Sequence, residues 1–502
     1  MIFAEENAMK KNKPMLSGIL LVALVNGCGT TGKLSDNTTI PSGTDTQTSA
    51  QETTQSLDPE ISAVDLGGRE YNILNRQHGD YTFSYSEFLA EEENGDLIND
   101  GVYKRNLAIE DKYKVKLVSV ETNDLVGNAK NTILAGDDTY DLLMPMISDA
   151  FSLAVQGCLI NMSELPHINL SKPYWMDSIV TASSIGGRNY FLSGDMNVSV
   201  LNAVGATFFN KDLASLYQIN DVYDVVKAGK FTLDKLTEYC RLVYNDLNGN
   251  AEYDSEDRYG LDCSTFAWQP LYYGAGMSMI SKDKDDIPSL AWDTEKNIDA
   301  IAKIVKLLND KTTTILVNQY SELHAIGLGN ATFNIFREDR ALFFSEVMYG
   351  AMQFRDMKSD FGILPLPKYN ENQEKYASYV HTNHSSSVCV PITNNETDLA
   401  GMLLEDMAYQ SYLNVRPAFY DVTLKIKLTR DEDTAEIIDM IYENINIDLT
   451  LVMNRSGLPI DNTLRTAMLE NRTDLVSMIA SQKSSCEETI NSNVKTILAL
   501  EN

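Results

Sequence analysis

At 502 residues the chain exceeds one average domain, and at about 150 residues per domain there is room for roughly three. Hydrophobic residues make up 43% and charged residues 22%, the balance of a globular protein with a large core, which excludes collagen-like, coiled-coil and wholly disordered chains. With 71 acidic against 41 basic residues the net charge is −30; this field repels nucleic acid, anionic headgroups and anionic substrates, so an uncharged ligand is expected.

Lys10, Lys11 and Lys13 precede an apolar run from Met15 to Val25, followed by Asn26, Gly27 and Cys28. A basic start, a short apolar stretch and small residues describe a secretory signal over residues 1–27, too short to span a bilayer. Met1 or Met9 is its start, since Met1 to Ala8 carries two acids. Val25-Asn26-Gly27-Cys28 resembles a bacterial lipobox, with Asn26 departing from the usual small apolar residue; Cys28 is then the lipidated first residue of the mature chain. Residues 28–66 are the anchor and a tether of Ser, Thr, Gly, Gln and Asp, which cannot bury enough surface to offset its ordering entropy. This places the rest of the chain on the extracellular face of the cell membrane, held by lipid alone. Cys158, Cys240, Cys263, Cys389 and Cys486 are scattered and lack metal spacing, so they read as free buried thiols.

After Gly67-Gly68, Arg69 to Asn75 reads as a strand, Asn99 to Lys112 as a helix capped by Asn99 or Asp100, and Val115 to Val120 as a second strand. Asn123 to Ala135 is helical and stops at Gly136; Tyr140 to Met146 is the third strand. This β-α-β-α-β order predicts parallel strands between helices, with ligands beyond the strands' carboxyl ends, near Gln77 to Tyr81 and Ile147 to Phe151. Ala203 to Asn210 and Tyr259 to Asp262 begin a second unit, with helices over Leu233 to Tyr244 and Asn297 to Leu308. Phe361 to Leu366 and Ser387 to Val390 read as further strands, and the remainder as mostly helical.

The segment Asp246 to Asp257 follows the calcium-loop spacing D-x-[DN]-x-[DN] with an acid at the twelfth position. Asp246, Asn248, Asn250, Glu252 and Asp257 would supply the oxygens that a hard cation needs, as a structural calcium site. Ala251 stands where such loops carry Gly, and Asp257 is shorter than the usual Glu.

An uncharged ligand with apolar faces and hydroxyls calls for a flat ring beside short polar groups. Ser264, Phe266, Trp268 and Tyr272 offer that chemistry directly after a predicted strand, with Trp268 as the stacking platform. Trp175 is a further candidate, and Gln77 and Asp149, beyond strand ends, are candidate hydroxyl partners. There is no G-x-S-x-G elbow, no H-E-x-x-H motif and no Walker loop; together with the resemblance described next, this leads to the expectation of a binding protein rather than an enzyme.

Several phrases in order carry a resemblance: Gly68-Arg69-Glu70-Tyr71, Ile98 to Asn106, Lys172-Pro173-Tyr174-Trp175, Phe208-Phe209-Asn210-Lys211, Asp246 to Leu261, and Tyr420 to Leu424. From about Gly67 to the C-terminus the chain resembles the extracellular solute-binding proteins of ABC transporters, in the carbohydrate-binding, maltose-binding-protein-like branch and its Gram-positive lipoproteins. The resemblance implies an α/β, two-lobed, periplasmic-binding-protein-like fold of type II with a hinge. Lobe 1 is then residues 67–195 with about 362–410, and lobe 2 about 196–361 with about 411–502. It places passages between lobes near Gly194 to Asn197 and Gly362 to Tyr369, with a third exchange around the helix after Thr397, and Glu346 in the cleft. It implies a monomer that takes a carbohydrate, an oligosaccharide in particular, to ABC permease subunits. A same-fold receptor for a peptide or other small polar solute remains the alternative, ahead of a glycoside-active enzyme or a surface adhesion module.

Overall fold

The computed structural model describes residues 56–77, 87–419 and 432–500. The signal segment, Cys28 and the phrase from Tyr420 to Leu424 lie outside these residues. The first elements are β1 (Arg69–Arg76), α1 (Leu97–Tyr113), β2 (Val115–Thr122), α2 (Leu125–Leu134), β3 (Leu142–Leu143) and α3 (Ile147–Val155). β1 lies between β2 and β3 and runs parallel to both, with Arg69 opposite Val115 and Ile73 opposite Leu142.

Local chemistry shifts the expected boundaries. α1 starts before Asn99 because Asp96 is the cap: its carboxylate accepts the N–H groups of Ile98 and Asn99. β3 is confined to Leu142–Leu143 because a distant segment completes that edge, Leu143 bridging to Cys389 and Met146 to Ser386. For the same reason Ser387 to Val390 forms isolated bridges rather than a strand of its own.

After α4 (Asp177–Ser183) and α5 (Val198–Asn202) comes β4 (Gly205–Asn210), then β5 (Tyr259–Cys263), β6 (Ile280–Lys282), β7 (Pro288–Leu290), β8 (Thr314–Leu316), β9 (Ala341–Val347) and β10 (Phe361–Leu364). A mixed sheet runs in the order β10-β4-β9-β5-β8, while β6 and β7 make a separate pair. β4 is buried at every position, which its sequence GATFFN allows because helices cover both faces. Phe354 packs edge-on against Phe208, Phe344 and Phe361 with centroids 5.3, 5.7 and 5.8 Å apart, under this sheet.

Two passages join the two sheets, and the second differs from the one that the resemblance implies. The first follows the bridge from Leu192 to Val388 and enters β4. The second does not fall near Gly362 to Tyr369, because Phe361–Leu364 is β10, hydrogen-bonded to β4. It falls between Val380, bridged to Val204, and Ser386, bridged to Met146. The helix Thr397–Pro417 then packs on α1, where Gly101 admits the carbonyl of Asn414; a Cβ there would meet that oxygen at 2.6 Å. β11 (Ser378–Tyr379) pairs with β12 (Ile445–Asn446), which follows the helix Glu432–Glu443. Helices Leu449–Val452, Ile460–Leu469 and Leu475–Ala499 complete the second lobe, and the last reaches back: Arg188 donates to the carbonyls of Ile497 and Leu498 at 3.0 and 2.8 Å. All five described cysteines are buried and free. No described helix is long and apolar enough to cross a membrane.

Candidate functional site

Beyond the carboxyl ends of β1 and β3 the chain gathers charge. Asp149, in the first turn of α3, is 4% exposed and bonds Arg76 Nη1 at 3.2 Å and Arg455 Nη1 at 2.6 Å. Arg455 arrives from the turn after the helix Leu449–Val452, and its Nε lies 3.3 Å from Asn383 Oδ1, which also accepts the Ser148 hydroxyl at 2.6 Å. Asp149, expected to accept ligand hydroxyls, is thus engaged by two guanidiniums. The group left open to a ligand is Arg455, whose side chain is 43% exposed. Gln77 is exposed, and its N–H extends the β1–β2 ladder to Thr122 at 3.1 Å.

The second passage brings His381 and His384 alongside, with ring centroids 4.4 Å apart. Burial lowers both imidazoles, His381 to about 4 and His384 to about 3, the latter also through the positive charges of Arg76 and Arg455. Both are neutral imidazoles at neutral pH.

In the second lobe, half-buried Glu346 of β9 sits opposite Ala206 of β4. Burial raises its carboxyl to about 7. Nearby, Tyr379 stacks on Tyr273 at 6.1 Å. Ser264 caps the 3-10 turn after β5 by accepting the Phe266 N–H at 3.3 Å. That turn runs directly into the helix Trp268–Gly274 and sends its two rings in different directions. Phe266 is 40% exposed, with the Arg465 guanidinium 4.0 Å above its face. Trp268 is 1% exposed, packs against Tyr272 and Tyr273, and donates its indole N–H to Asp461 at 3.0 Å. The ring expected as the stacking platform is therefore a core ring in this structure, and Phe266 holds the open position.

Tyr272 is fully buried, and among the described residues its hydroxyl has no hydrogen-bond partner. Trp175 belongs to the first-lobe core, where its indole N–H and the Tyr174 hydroxyl bond Glu405 at 2.9 and 2.5 Å. Sequence reasoning missed Arg76, Asn383, Arg455, Asp461 and Arg465. Arg76 is visible as a cation at a strand end, whereas Arg455 lies 306 residues from Asp149 and carries no local sign.

The loop 246–257 is held by its own polar groups. Asp246 accepts the N–H groups of Gly249 and Ala251 at 2.7 and 2.8 Å, and Asn250 accepts that of Glu252 at 2.7 Å. Asn248 and Asn250 turn their amide nitrogens to Asp254, and buried Asp257 takes the Leu247 N–H and the Tyr244 hydroxyl. Ala251 adopts φ +65°, the left-handed conformation for which such loops use Gly. Among the described residues no three His, Cys, Asp or Glu side chains converge as a metal site.

The sequence matches no protein-family model and no curated protein; the likeness is to solved structures. An ABC substrate-binding protein from Listeria monocytogenes in complex with cycloalternan superposes with a TM-score of 0.55 at 10% identity, covering 84% of this chain and 99% of that one. A cyclo/maltodextrin-binding protein complexed with maltotetraose gives 0.54 at 12% identity, covering 86% and 98%. This chain has the type II solute-binding-protein fold. A cyclic alpha-maltosyl-1,6-maltose binding protein from Arthrobacter globiformis shares that fold with a TM-score of 0.52 at 12% identity, over 86% of this chain and 99% of its own.

Proposed function

We propose that the chain is an extracellular receptor, anchored through lipid on Cys28, that takes a carbohydrate into the cleft between its lobes and delivers it to an ABC permease. The observation that carries this reading is the fold, shared over 98% or more of the length of proteins whose own ligands are cycloalternan and maltotetraose. The charge of the candidate site fits an uncharged guest. Asp149 has its charge compensated by Arg76 and Arg455, which leaves one positive charge over within a chain of net charge −30, the two histidines are neutral, and Glu346 holds its proton up to about pH 7. Phe266 offers an apolar face, and Arg455 offers N–H donors to hydroxyls. Ligand contacts from both lobes then favour the closed population, with no covalent step.

Titrating the mature chain with mono- and oligosaccharides while following tryptophan fluorescence tests this. Saturation by one sugar class, lost in Phe266→Ala, is the expected result. A response to peptides alone would replace the sugar reading, and release of a hydrolysed product would replace the receptor.

We further propose that calcium binds the loop 246–257 as a structural ion, its oxygens exchanging backbone N–H bonds for the cation. A chelator then lowers the melting temperature by about 1–2 °C in the parent chain and leaves Asp246→Ala unchanged. Equal melts of the parent with and without chelator would remove the ion.

A further inference from the structure

A cavity of about 300 Å³ lies where the first passage between the sheets meets the start of α4 and the end of the helix Glu432–Glu443. Tyr174, Asp177, Asp195, Arg416, Tyr442 and Glu443 supply its chemistry. None of them belongs to the cluster around Asp149, Phe266 and Glu346.

The backbone at this point is tightly set. A Cβ on Gly194 would meet the Tyr174 carbonyl at 2.2 Å, and the Asp195 N–H donates to that same carbonyl at 3.0 Å. The Asp195 side chain is thereby directed into the cavity while only 7% of the residue is exposed. Among the described residues its Oδ2 has no partner at hydrogen-bond length. The cation beside it, Arg416 Nη1, is 3.6 Å away, beyond hydrogen-bond length. Burial accordingly raises this carboxyl to about 7 despite the guanidinium. Glu405, in the same lobe, shows the contrasting case: a buried carboxylate fully served by Tyr174, Trp175 and the N–H of Asn169. Asp195 Oδ2 has instead one long ion pair to Arg416, which leaves a buried carboxylate oxygen with room for a closer donor.

The rest of the lining defines that donor. The hydroxyls of Tyr174 and Tyr442 are committed, to Glu405 at 2.5 Å and to the Leu201 carbonyl at 2.7 Å, which leaves their rings as an apolar wall. Asp177 and Glu443 stand exposed at the rim. Three acidic side chains against one guanidinium disfavour an anion, and a neutral polyol would bring no positive charge to that excess. We propose that this cavity binds a small organic ammonium ion, its cationic head against Asp195 and its body along Tyr174 and Tyr442. The aromatic wall adds cation–π attraction to the ion pair. The proposal is independent of the carbohydrate reading, because it needs neither the cleft residues nor a sugar.

Calorimetric titration of the mature chain with 1,4-diaminobutane and with choline, and with neutral 1,4-butanediol as a size control, decides it. The expected result is saturable binding of an amine and none of the diol. Asp195→Asn should weaken the amine about tenfold or more, the loss of a charge-assisted contact. Glu443→Gln, an exposed change that leaves the melt unaltered, should weaken it about threefold. Absence of amine binding, diol binding of equal strength, or undiminished affinity in Asp195→Asn overturns the proposal. Should Asp195→Asn not fold, undiminished affinity in Glu443→Gln overturns it instead.

Discussion

At the carboxyl ends of β1 and β3 the chain places charge; at the carboxyl ends of β5 and β9 it places rings and a carboxyl whose proton burial retains. Asp149 is buried yet satisfied, because Arg76 from its own sheet and Arg455 from the far end of the chain converge on it. Trp268, Tyr272 and Tyr273 are buried by one another, and polar service is reduced to single contacts on Asp461 and Thr450. The first edge holds together through pairs that must stay complete, the second through area removed from water. Deleting one member should therefore cost each edge for a different reason.

The largest expected effect is at the aromatic edge. Trp268→Ala removes a 1%-exposed ring from between two tyrosines and should lower stability by about 3–5 kcal/mol, read by denaturant melts. A loss below about 1 kcal/mol would mean that the ring is not packed as described. Asp149→Ala comes next, at about 3 kcal/mol, because it leaves two guanidiniums facing each other without their counter-charge. Arg455→Ala, with a side chain 43% exposed, should cost about 1 kcal/mol; equal losses would erase the distinction between buried anchor and open partner.

Glu346 sharpens the comparison through pH. Its folded pKa of about 7 lies above the usual 4.5, so the folded state holds the proton more tightly than the unfolded one. Its contribution is most favourable below about pH 4.5 and declines as pH rises towards 7. Asp195 adds a slope of the same sign, so the difference between parent and Glu346→Gln isolates this residue. At pH 8 Glu346→Gln should be more stable by about 1–2 kcal/mol, a value reduced for partial exposure, and the gap should close near pH 4.5. A pH-independent gap would mean that the carboxyl is hydrated. The smallest effect on the melt belongs to Phe266→Ala, under about 1 kcal/mol for a ring 40% exposed, although the sugar response should disappear with it. A large destabilisation there would show that the ring supports the fold instead of facing a guest.

Much of the architecture is legible in the residues. The alternation after Gly67 led to three parallel strands, and the aromatic runs Phe208-Phe209 and Phe343-Phe344 lie in neighbouring strands of the second sheet. What was not legible depends on contacts far apart in the chain. The passage at 380–386 was placed too early because Phe361 to Leu364 looks the same whether it leaves a lobe or lines its edge; only its pairing with β4 decides. Trp268 and Phe266 sit two residues apart in one aromatic phrase, and which ring faces out is set by a single 3-10 turn. Asp149 looked like an open carboxylate because its second partner comes from another region altogether.

The five interior thiols have a practical corollary. Each is sealed from solvent and none is bridged, so among the described residues the exterior offers nothing for a maleimide dye to attack. In a chain carrying Cys28→Ser, a cysteine introduced at Leu134 on one sheet's flank and another at Leu216 on the other, both widely exposed, would carry a donor and an acceptor without labelling of the buried thiols. Energy transfer between them would report how far apart the flanks stand, with and without sugar, in real time.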